Sequence, residues 1–218
     1  MRGLYAITPE SSDLPKLVDQ VGQAVAGGAS AIQYRNKSLS PGAAILQAKA
    51  LQTLLSKTGV LFIINDNIEL ALAIRADGVH VGKQDSDLSA LSGVREHILS
   101  GRFSSRHQPF LIGVSCYNDL QRAKAAVAAG ADYVAFGSFF PSQTKPDAAK
   151  ADVMLIKSAK IALDVPVVAI GGITLENAPQ LIAARVDAIA VITDLFGADD
   201  ISHRARQFTN LFNSGNHV

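Results

Sequence analysis

Cysteine is nearly absent from this chain: Cys116 is its single example among 218 residues, so an internal disulfide is excluded. Charge of one sign is not in excess either, because 20 Lys and Arg residues face 19 Asp and Glu residues. The net charge is therefore too small to attract nucleic acid or an anionic membrane. Any anion must be bound by a local cluster of cations. Long hydrophobic runs are also missing, since a membrane helix needs roughly 20 apolar residues and the runs here have only the length of a strand.

The opening segment, MRGLYAITPE, has no apolar stretch of the kind that marks a signal peptide. Together with the lone cysteine, this predicts a reduced, cytoplasmic protein. Hydrophobic residues make up 48% of the chain, which is enough to bury a large core. We expect a single domain over 1–218, with the last few residues disordered.

Short apolar runs rich in β-forming residues recur along the chain. They lie at 4–8, 31–35, 61–66, 78–81, 111–115, 133–137, 165–172 and 188–193. Helical spacing is found between several of them, at 14–27, 41–57, 67–75, 119–129 and 175–184. Strands that are almost wholly apolar are typical of a parallel sheet that is buried on both faces.

Eight strand and helix units in a chain of this length predict an α/β protein with a compact (β/α)8 fold, the TIM barrel. An open, doubly wound sheet is the structural alternative. It is the weaker one, because no GxGxxG follows the first strand, where a dinucleotide fold would place it.

In a (β/α)8 barrel the active site lies at the carboxyl ends of the strands, so the polar residues that follow each strand are the candidates. Gln33, Arg35 and Lys37 follow the second strand and are spaced by two, which points them to one side of an extended segment. Two cations beside an amide donor favour an anion, and pyrophosphate has the right size. The alternative is an internal cluster of salt bridges with Asp66 or Asp85.

Asp66 ends the third strand, and Asp85 follows the fourth. Two carboxylates near cations suit a Mg²⁺ ion that keeps several waters and takes further ligands from a phosphate. Each aspartate could instead cap the helix that follows it. His80, on the fourth strand, is expected to be a packed, hydrogen-bonded core residue, because no histidine pair has zinc spacing.

Gly171 and Gly172 follow the seventh strand, where such barrels bind a phosphate with bare backbone N–H groups. A plain tight turn into the next helix is the alternative. After the sixth strand, Ser142 and Thr144 bring two hydroxyls for one phosphate, and Lys145 brings a cation for a second anion. Two anions at one rim predict two phosphorylated ligands.

Taken in order, these motifs resemble the thiamine phosphate synthase family. The segments that carry the resemblance are LYAIT, IQYRNK, INDNIELALAIRADGVHVGKQD, IGVSCY, ADYVAFGSFFPSQTKPDA, VVAIGGIT and AVIT, which together span about residues 4 to 196. The combination of Q-x-R-x-K, N-D and T-K on successive strand ends is specific, whereas any one of them alone is not.

The resemblance implies that a pyrimidine diphosphate loses pyrophosphate and is joined to a thiazole phosphate, or to its carboxylated precursor, to give thiamine phosphate. It implies a dissociative mechanism, in which the carbon–oxygen bond breaks first and a carbocation-like pyrimidine forms. The residues implied to bind the pyrimidine diphosphate are Gln33, Tyr34, Arg35, Asn36, Lys37, Asn65, Ser115 and Lys145. Those implied to bind the thiazole phosphate are Ser142, Gln143, Thr144, Gly172, Ile192 and Thr193.

Asp66 and Asp85 are implied to bind one Mg²⁺ per subunit. Arg35, Lys37 and Lys145 are implied to be catalytic, because they would neutralise the departing pyrophosphate. The expected partners are two small phosphorylated heterocycles, with neither nucleic acid nor a membrane, and homo-oligomerisation is left open.

Departures from the family pattern are small. Ser142 stands where many members have threonine, Thr193 replaces a common serine, and Lys83 takes the place of a frequent glutamine. Cys116 is interpreted as a small packed residue rather than a nucleophile.

Two other functions remain open at this point. The thiazole tautomerase branch of the same family should have lost part of the diphosphate and metal set and gained a histidine after the fifth strand, where this chain has Tyr117. A non-catalytic sensor of thiazole or thiamine phosphates would keep a phosphate site without two metal-binding aspartates.

Overall fold

The strands of the computed structural model, which describes residues 1–82, 93, 95, 96, 109–141 and 151–214, close into a barrel in sequential order. They are β1 (Gly3–Ile7), β2 (Ala31–Tyr34), β3 (Leu61–Asn65), β4 (Gly78–Val81), β5 (Leu111–Tyr117), β6 (Tyr133–Phe136), β7 (Val167–Ile170) and β8 (Ala188–Val191). All neighbouring strands are parallel, and β1 pairs with both β2 and β8. The predicted (β/α)8 barrel is therefore confirmed, and the open sheet is excluded.

The helices of the described residues surround this barrel. They are α1 (Leu14–Ala26), α2 (Pro41–Leu55), α3 (Ile68–Ala73), α4 (Leu120–Ala128), α5 (Val153–Ala162), α6 (Ala178–Ala183), α7 (Thr193–Phe196) and α8 (Ile201–Ser214). Within the part of the chain that the structure describes, none of the helices combines the length and the apolar character that a membrane crossing needs. The C-terminal residues that were expected to be disordered, 215–218, lie outside the described residues.

Side-chain caps fix where several helices begin. Asp13, Ser40, Asn67 and Asp119 each accept a hydrogen bond from a backbone N–H in the first turn of the helix that follows. Such a cap satisfies a donor that has no partner within the helix, and its removal typically costs about 1 kcal/mol.

The helix predicted from residue 175 begins later, at Ala178. Asn177 accepts a hydrogen bond from the Thr174 backbone N–H at 2.9 Å and donates one to the Gly172 carbonyl at 2.9 Å. These two bonds hold the residues between β7 and α6 in a turn, and Pro179 then opens the helix.

Side chains alternate between the two faces of each strand, which separates two cores. On β1, Leu4 and Ala6 pack outward against the helices, whereas Tyr5 and Ile7 point into the barrel. The interior cluster is small and includes Ile63 and Val168. The inward positions near the carboxyl ends therefore decide what faces the mouth of the barrel.

The amino end of the barrel is held by a repeated aspartate. One aspartate precedes each of β4, β6 and β8, and its carboxylate accepts a hydrogen bond from a backbone N–H on the preceding strand. The pairs are Asp77 with Phe62, Asp132 with Ile112 and Asp187 with Val167, at 2.7 to 2.8 Å. Two of these carboxylates also form ion pairs, with Arg95 and Lys160.

Candidate active site

A cavity of about 580 Å³ opens at the carboxyl ends of the strands. Its volume lies within the range of small-molecule sites. Its floor is formed by inward side chains of the barrel, including Tyr5, Ala135 and Val168, and its rim by the segments that follow the strands. The predicted site residues that line it are Gln33, Arg35, Asn65, Ser115, Gly172, Ile192 and Thr193.

Arg35 reaches the rim from the end of β2, and the Thr8 hydroxyl fixes its main chain. The Arg35 N–H donates to Thr8 Oγ1 at 3.0 Å, and the same hydroxyl donates to the Arg35 carbonyl at 3.3 Å. The guanidinium forms an ion pair with Glu10 at 2.9 Å. A cation thus lies at the cavity with a partially exposed carboxylate as its present partner.

Lys37 lies two residues further along, and its Nζ is 3.1 Å from an Asp66 carboxylate oxygen. The internal salt bridge that was considered as an alternative therefore exists in part, between Lys37 and Asp66. This ion pair brings a cation of the β2 segment together with the carboxylate that follows β3.

Asp66 does not cap the following helix, because Asn67 does so. Asp66 has a left-handed backbone, with φ of 61°, a conformation that is uncommon for residues other than glycine. Its carboxylate accepts hydrogen bonds from Asn65 Nδ2 at 2.6 Å and from the Gly82 N–H at 3.3 Å. This turn directs a hard oxygen ligand beside the rim.

The fit of a magnesium ion to this region can be judged from Asp66. Mg²⁺ is commonly bound by one or two carboxylates together with waters and phosphate oxygens, so a single well-placed carboxylate fits it. Asp85, the other predicted ligand, lies outside the described residues. Among the residues with described positions, no group of three or more His, Cys, Asp or Glu side chains could hold a metal ion.

Five side chains from five strands form one hydrogen-bonded chain across the barrel. It runs from Gln33 to Tyr5 (2.7 Å), to Tyr133 (3.0 Å), to His80 (3.1 Å) and to Ser115 (2.9 Å). Burial raises the pKa of both tyrosines. Burial also lowers the pKa of His80 to about 4, although the Asp66 carboxylate opposes this shift, so His80 is neutral at pH 7.

The expectation that His80 is a packed, hydrogen-bonded residue is confirmed. It also lines the cavity, together with Tyr5, which the sequence analysis did not single out. Tyr5 and Tyr133 were missed because they stand within apolar strands and are 128 residues apart. A tyrosine at an inward position of a wholly apolar strand was the signal that could have pointed to them.

Gly171 and Gly172 turn the chain after β7, with φ of 107° and 60°. Neither leaves space for a side chain. A Cβ on Gly171 would lie 2.7 Å from Ser138 Cα, and one on Gly172 would lie 2.8 Å from the Phe140 carbonyl oxygen. Both glycines line the cavity, so the backbone itself forms this part of the rim, as a phosphate site of bare N–H groups requires.

A third cation, which the sequence analysis did not identify, lies on the same side as the glycine turn. Arg204 of α8 donates two hydrogen bonds to the Asp194 carboxylate, at 3.0 and 2.9 Å, and both residues line the cavity. The pair fastens α8 to the short helix α7 directly after Thr193. Ten residues separate its members in sequence, so helical spacing did not reveal it.

Not every predicted site residue reaches the cavity, and the ion-paired Lys37 and Asp66 are not among the described residues that line it. The Tyr34 side chain points outward, where its hydroxyl donates to Gln47 at 3.0 Å, and burial raises its pKa to about 12. Asn36 donates to the Ser11 carbonyl at 2.8 Å and supports the loop before α2. The remaining predicted residues lie outside the described residues: Asp85, Ser142, Gln143, Thr144 and Lys145, as does Lys83.

Cys116 is buried on β5, with its Sγ 3.5 Å from the Val114 carbonyl oxygen. Burial raises the pKa of its thiol to about 12, with the nearby Arg122 opposing and Asp119 adding to the shift. The thiol is therefore a packed group and not a thiolate at neutral pH.

Comparison with known proteins gives one consistent result. A family model described as thiamine monophosphate synthase matches residues 4–195. The chain is similar to a thiamine-phosphate synthase of Aromatoleum aromaticum, with 47% identity over 98% of each chain. It is also similar to one of Methylobacillus flagellatus, with 48% identity over 98% of this chain and 96% of the relative.

A solved structure shares the fold at a recognisable level of sequence identity. It is described as a thiamine phosphate pyrophosphorylase from Pyrococcus furiosus, and it superposes with a TM-score of 0.83 and 31% identity. The match covers 98% of this chain and 96% of that one. The similarity therefore includes the whole barrel and both sides of the cavity.

Proposed function

Since the chain belongs to the thiamine monophosphate synthase family and is a transferase that forms thiamine phosphate, we propose that it does so by joining a pyrimidine diphosphate to a thiazole phosphate with release of pyrophosphate. One observation carries the proposal. Arg35 lines the cavity after β2, the Lys37–Asp66 ion pair lies next to the lining residues Arg35 and Asn65 in the chain, and a glycine turn forms the other side. A site for two phosphorylated ligands needs two such parts, one formed after β2 and β3 and one formed after β7 and β8.

The half formed by β2 and β3 suits the diphosphate. Arg35 and Lys37 can exchange their present carboxylate partners for phosphate oxygens, because such ion pairs near the surface are weak. Ser115 and Gln33 line the cavity between them and the floor, where they can hydrogen-bond to a heterocycle. Lys145 is proposed as a further cation for this group.

The half formed by β7 and β8 suits the single phosphate of the thiazole. Backbone N–H groups are available at the rim from Gly172 and from the start of α7. Such groups bind a phosphate by hydrogen bonds alone, without any transfer of a proton. Arg204 adds positive charge on this side, although Asp194 balances it. The hydroxyls of Ser142 and Thr144, with Gln143, are proposed to complete this half.

We propose a dissociative reaction. The bond between the exocyclic methylene carbon and the diphosphate oxygen breaks, and its electron pair leaves with pyrophosphate. The electron-rich aminopyrimidine stabilises the cation that remains. The thiazole ring nitrogen then gives its lone pair to the methylene carbon, so a thiazolium forms and no proton has to move.

The protein's main contribution to this chemistry is electrostatic. Arg35, Lys37 and Lys145 would stabilise the charge that develops on the pyrophosphate, and removal of one such contact typically costs roughly a hundredfold in rate. A Mg²⁺ ion held by Asp66 and Asp85 would supply further charge stabilisation when bound. Because no proton moves in this reaction, His80, which is hydrogen-bonded at both ring nitrogens, is not needed as an acid or base.

The partners of the proposed reaction are small molecules, and the enzyme would act on them in the cytoplasm. A single, buried cysteine is compatible with a reducing compartment.

Coupling can be tested directly with purified protein. The pyrimidine diphosphate, the thiazole phosphate and Mg²⁺ are mixed with it, and both thiamine phosphate and pyrophosphate are measured. We expect equal amounts of the two products, and we expect Arg35→Met to slow their formation by about a hundredfold. Arg206→Met is the matched control, because Arg206 is exposed on α8 and neither it nor its hydrogen-bond partner Ser202 is among the described residues that line the cavity.

The same assay separates the other functions. A tautomerase would isomerise the thiazole without releasing pyrophosphate, and a sensor would bind a phosphate ligand without turnover. Either result would contradict the proposal.

A further inference from the structure

The hydrogen-bonded chain from Gln33 to Ser115 connects two parts of the cavity wall through the barrel interior. Its ends, Gln33 and Ser115, line the cavity, as do Tyr5 and His80. Tyr133 is 1% exposed and is not among the described residues that line the cavity. Tyr133 therefore cannot contact a ligand there, and any effect it has on binding must pass through its hydrogen-bonded neighbours.

Gln33 fixes the direction of the first bond, and the other directions are assigned so that each buried hydroxyl hydrogen has an acceptor within the chain. Gln33 Nε2 donates to the Tyr5 hydroxyl, so Tyr5 is left with its own hydrogen to donate to Tyr133. Tyr133, having accepted that bond, has its own hydrogen for His80 Nδ1. A neutral histidine that accepts at Nδ1 carries its proton on Nε2.

With this assignment, His80 Nε2 donates to Ser115 Oγ, at 2.9 Å. The Ser115 hydroxyl accepts this bond and keeps its hydrogen for another acceptor. Because Ser115 lines the cavity, an acceptor on a bound substrate is in reach of that hydrogen.

Packing holds the two tyrosines in place. The Tyr133 ring meets the Tyr5 ring edge-on, with centroids 6.2 Å apart and planes at 79°, and it stacks on His80 at 5.5 Å. Gly113 on β5 makes room for it, because a Cβ there would lie 2.5 Å from Tyr133 Cε1 and closer still to its hydroxyl. The hydroxyl thus has little freedom to leave Nδ1.

We infer that Tyr5 and Tyr133 are positioning residues that orient the bonds of this chain so that Ser115 presents a hydrogen-bond donor to the pyrimidine diphosphate. The inference rests on the proposed function for the identity of that substrate. It assigns a role to two buried residues that do not enter the charge stabilisation described above.

The direction of the bonds can be tested on the ligand-free protein. With ¹⁵N-labelled histidine, NMR distinguishes a protonated ring nitrogen from an unprotonated one, and a His80→Asn variant identifies the His80 signals among the five histidines. We expect Nε2 of His80 to be protonated and Nδ1 to be an acceptor. The Tyr133→Phe variant keeps the ring but removes the hydroxyl. In it the His80 tautomer is no longer fixed, so the ¹⁵N chemical shifts of the two His80 ring nitrogens move toward each other.

Kinetics give the second readout. Loss of one neutral hydrogen bond typically corresponds to a change of about five- to tenfold in binding, so we expect the KM for the pyrimidine diphosphate to rise by that factor in Tyr133→Phe. The KM for the thiazole phosphate should not change. Tyr5→Phe should have a similar effect, and the double variant should add little, because one break already interrupts the chain.

Thr209→Val is the control, because it also removes a side-chain hydroxyl that donates to backbone carbonyls, with Ala205 the nearest at 2.9 Å, but at a half-buried position on α8 away from the cavity. A merely structural role for Tyr133 would lower Tm as in this control, without a change of tautomer or a selective rise in one KM. That result would overturn the inference, as would a wild-type His80 protonated at Nδ1. A wild-type protein that forms no thiamine phosphate would instead overturn the proposed function, whatever the NMR result.

Discussion

Replacement of Gly172 by alanine tests the glycine half of the cavity. Gly172 has φ of 60°, and a left-handed backbone costs a residue with a Cβ about 1–2 kcal/mol. The larger effect comes from steric overlap of the added Cβ with the neighbouring backbone. The added Cβ would lie 2.8 Å from the Phe140 carbonyl oxygen and closer to the Pro141 carbonyl, so the backbone of 140–141 or of the turn has to move by roughly 1 Å to restore van der Waals contact.

A displacement of about 1 Å at a binding site can cost roughly a hundredfold in rate. We therefore expect kcat/KM for the thiazole phosphate to fall by about that factor in Gly172→Ala, whereas the KM for the pyrimidine diphosphate should change little. The assay measures thiamine phosphate formation while each substrate is varied in turn. Thermal unfolding shows whether the variant remains folded.

Gly42→Ala is the matched control. Gly42 lies in α2, no heavy atom is within 4 Å of its added Cβ, and alanine in a helix is favoured over glycine by up to about 1 kcal/mol. Its activity should equal that of the wild type. If Gly172→Ala folded and used the thiazole phosphate as efficiently as the control, the argument that this turn holds the phosphate would be refuted.

Three further predictions follow from the other parts of the site. Asp66→Asn removes the charge of the carboxylate beside Lys37, so the Mg²⁺ concentration needed for half-maximal activity should rise about tenfold or more. The exposed control Asp19→Asn should leave this concentration unchanged. An unchanged Mg²⁺ requirement in Asp66→Asn would contradict a metal role for Asp66. Glu10→Gln frees Arg35 from its present partner, so the KM for the pyrimidine diphosphate should fall by up to about fivefold, in line with the weakness of surface ion pairs; a higher KM would mean that Glu10 assists binding. Cys116, buried and with its pKa raised to about 12, should resist iodoacetamide at pH 8 until the protein unfolds, and rapid labelling of the native protein would refute the packing described for it.

The strands were predictable because each one is a short apolar run that ends in glycine or a polar residue. Their ends were not, since left-handed residues set some of them. The predicted run 165–172 stops at Ile170 because Gly171 and Gly172 have positive φ, and the predicted run 61–66 stops at Asn65 because Asp66 does. Backbone conformation of this kind leaves little trace in a hydrophobic pattern.

Arg35 was predictable from its spacing, because alternation along the β2 segment brings it to the same side as Gln33, whereas Arg204 was not. Their partners were not predictable. Glu10 is 25 residues from Arg35, and the two tyrosines of the interior chain are 128 residues apart. Contacts between distant strands depend on the register and closure of the barrel, which a single sequence does not display.

The three aspartates at the amino end stabilise the barrel strands at the end that carries none of the candidate site residues. Each one ties two neighbouring strands together at the end opposite to the cavity, so the cylinder does not depend on its rim for closure. Rim segments of a relative could consequently be grafted onto this frame, and a change of substrate would then leave the scaffold intact.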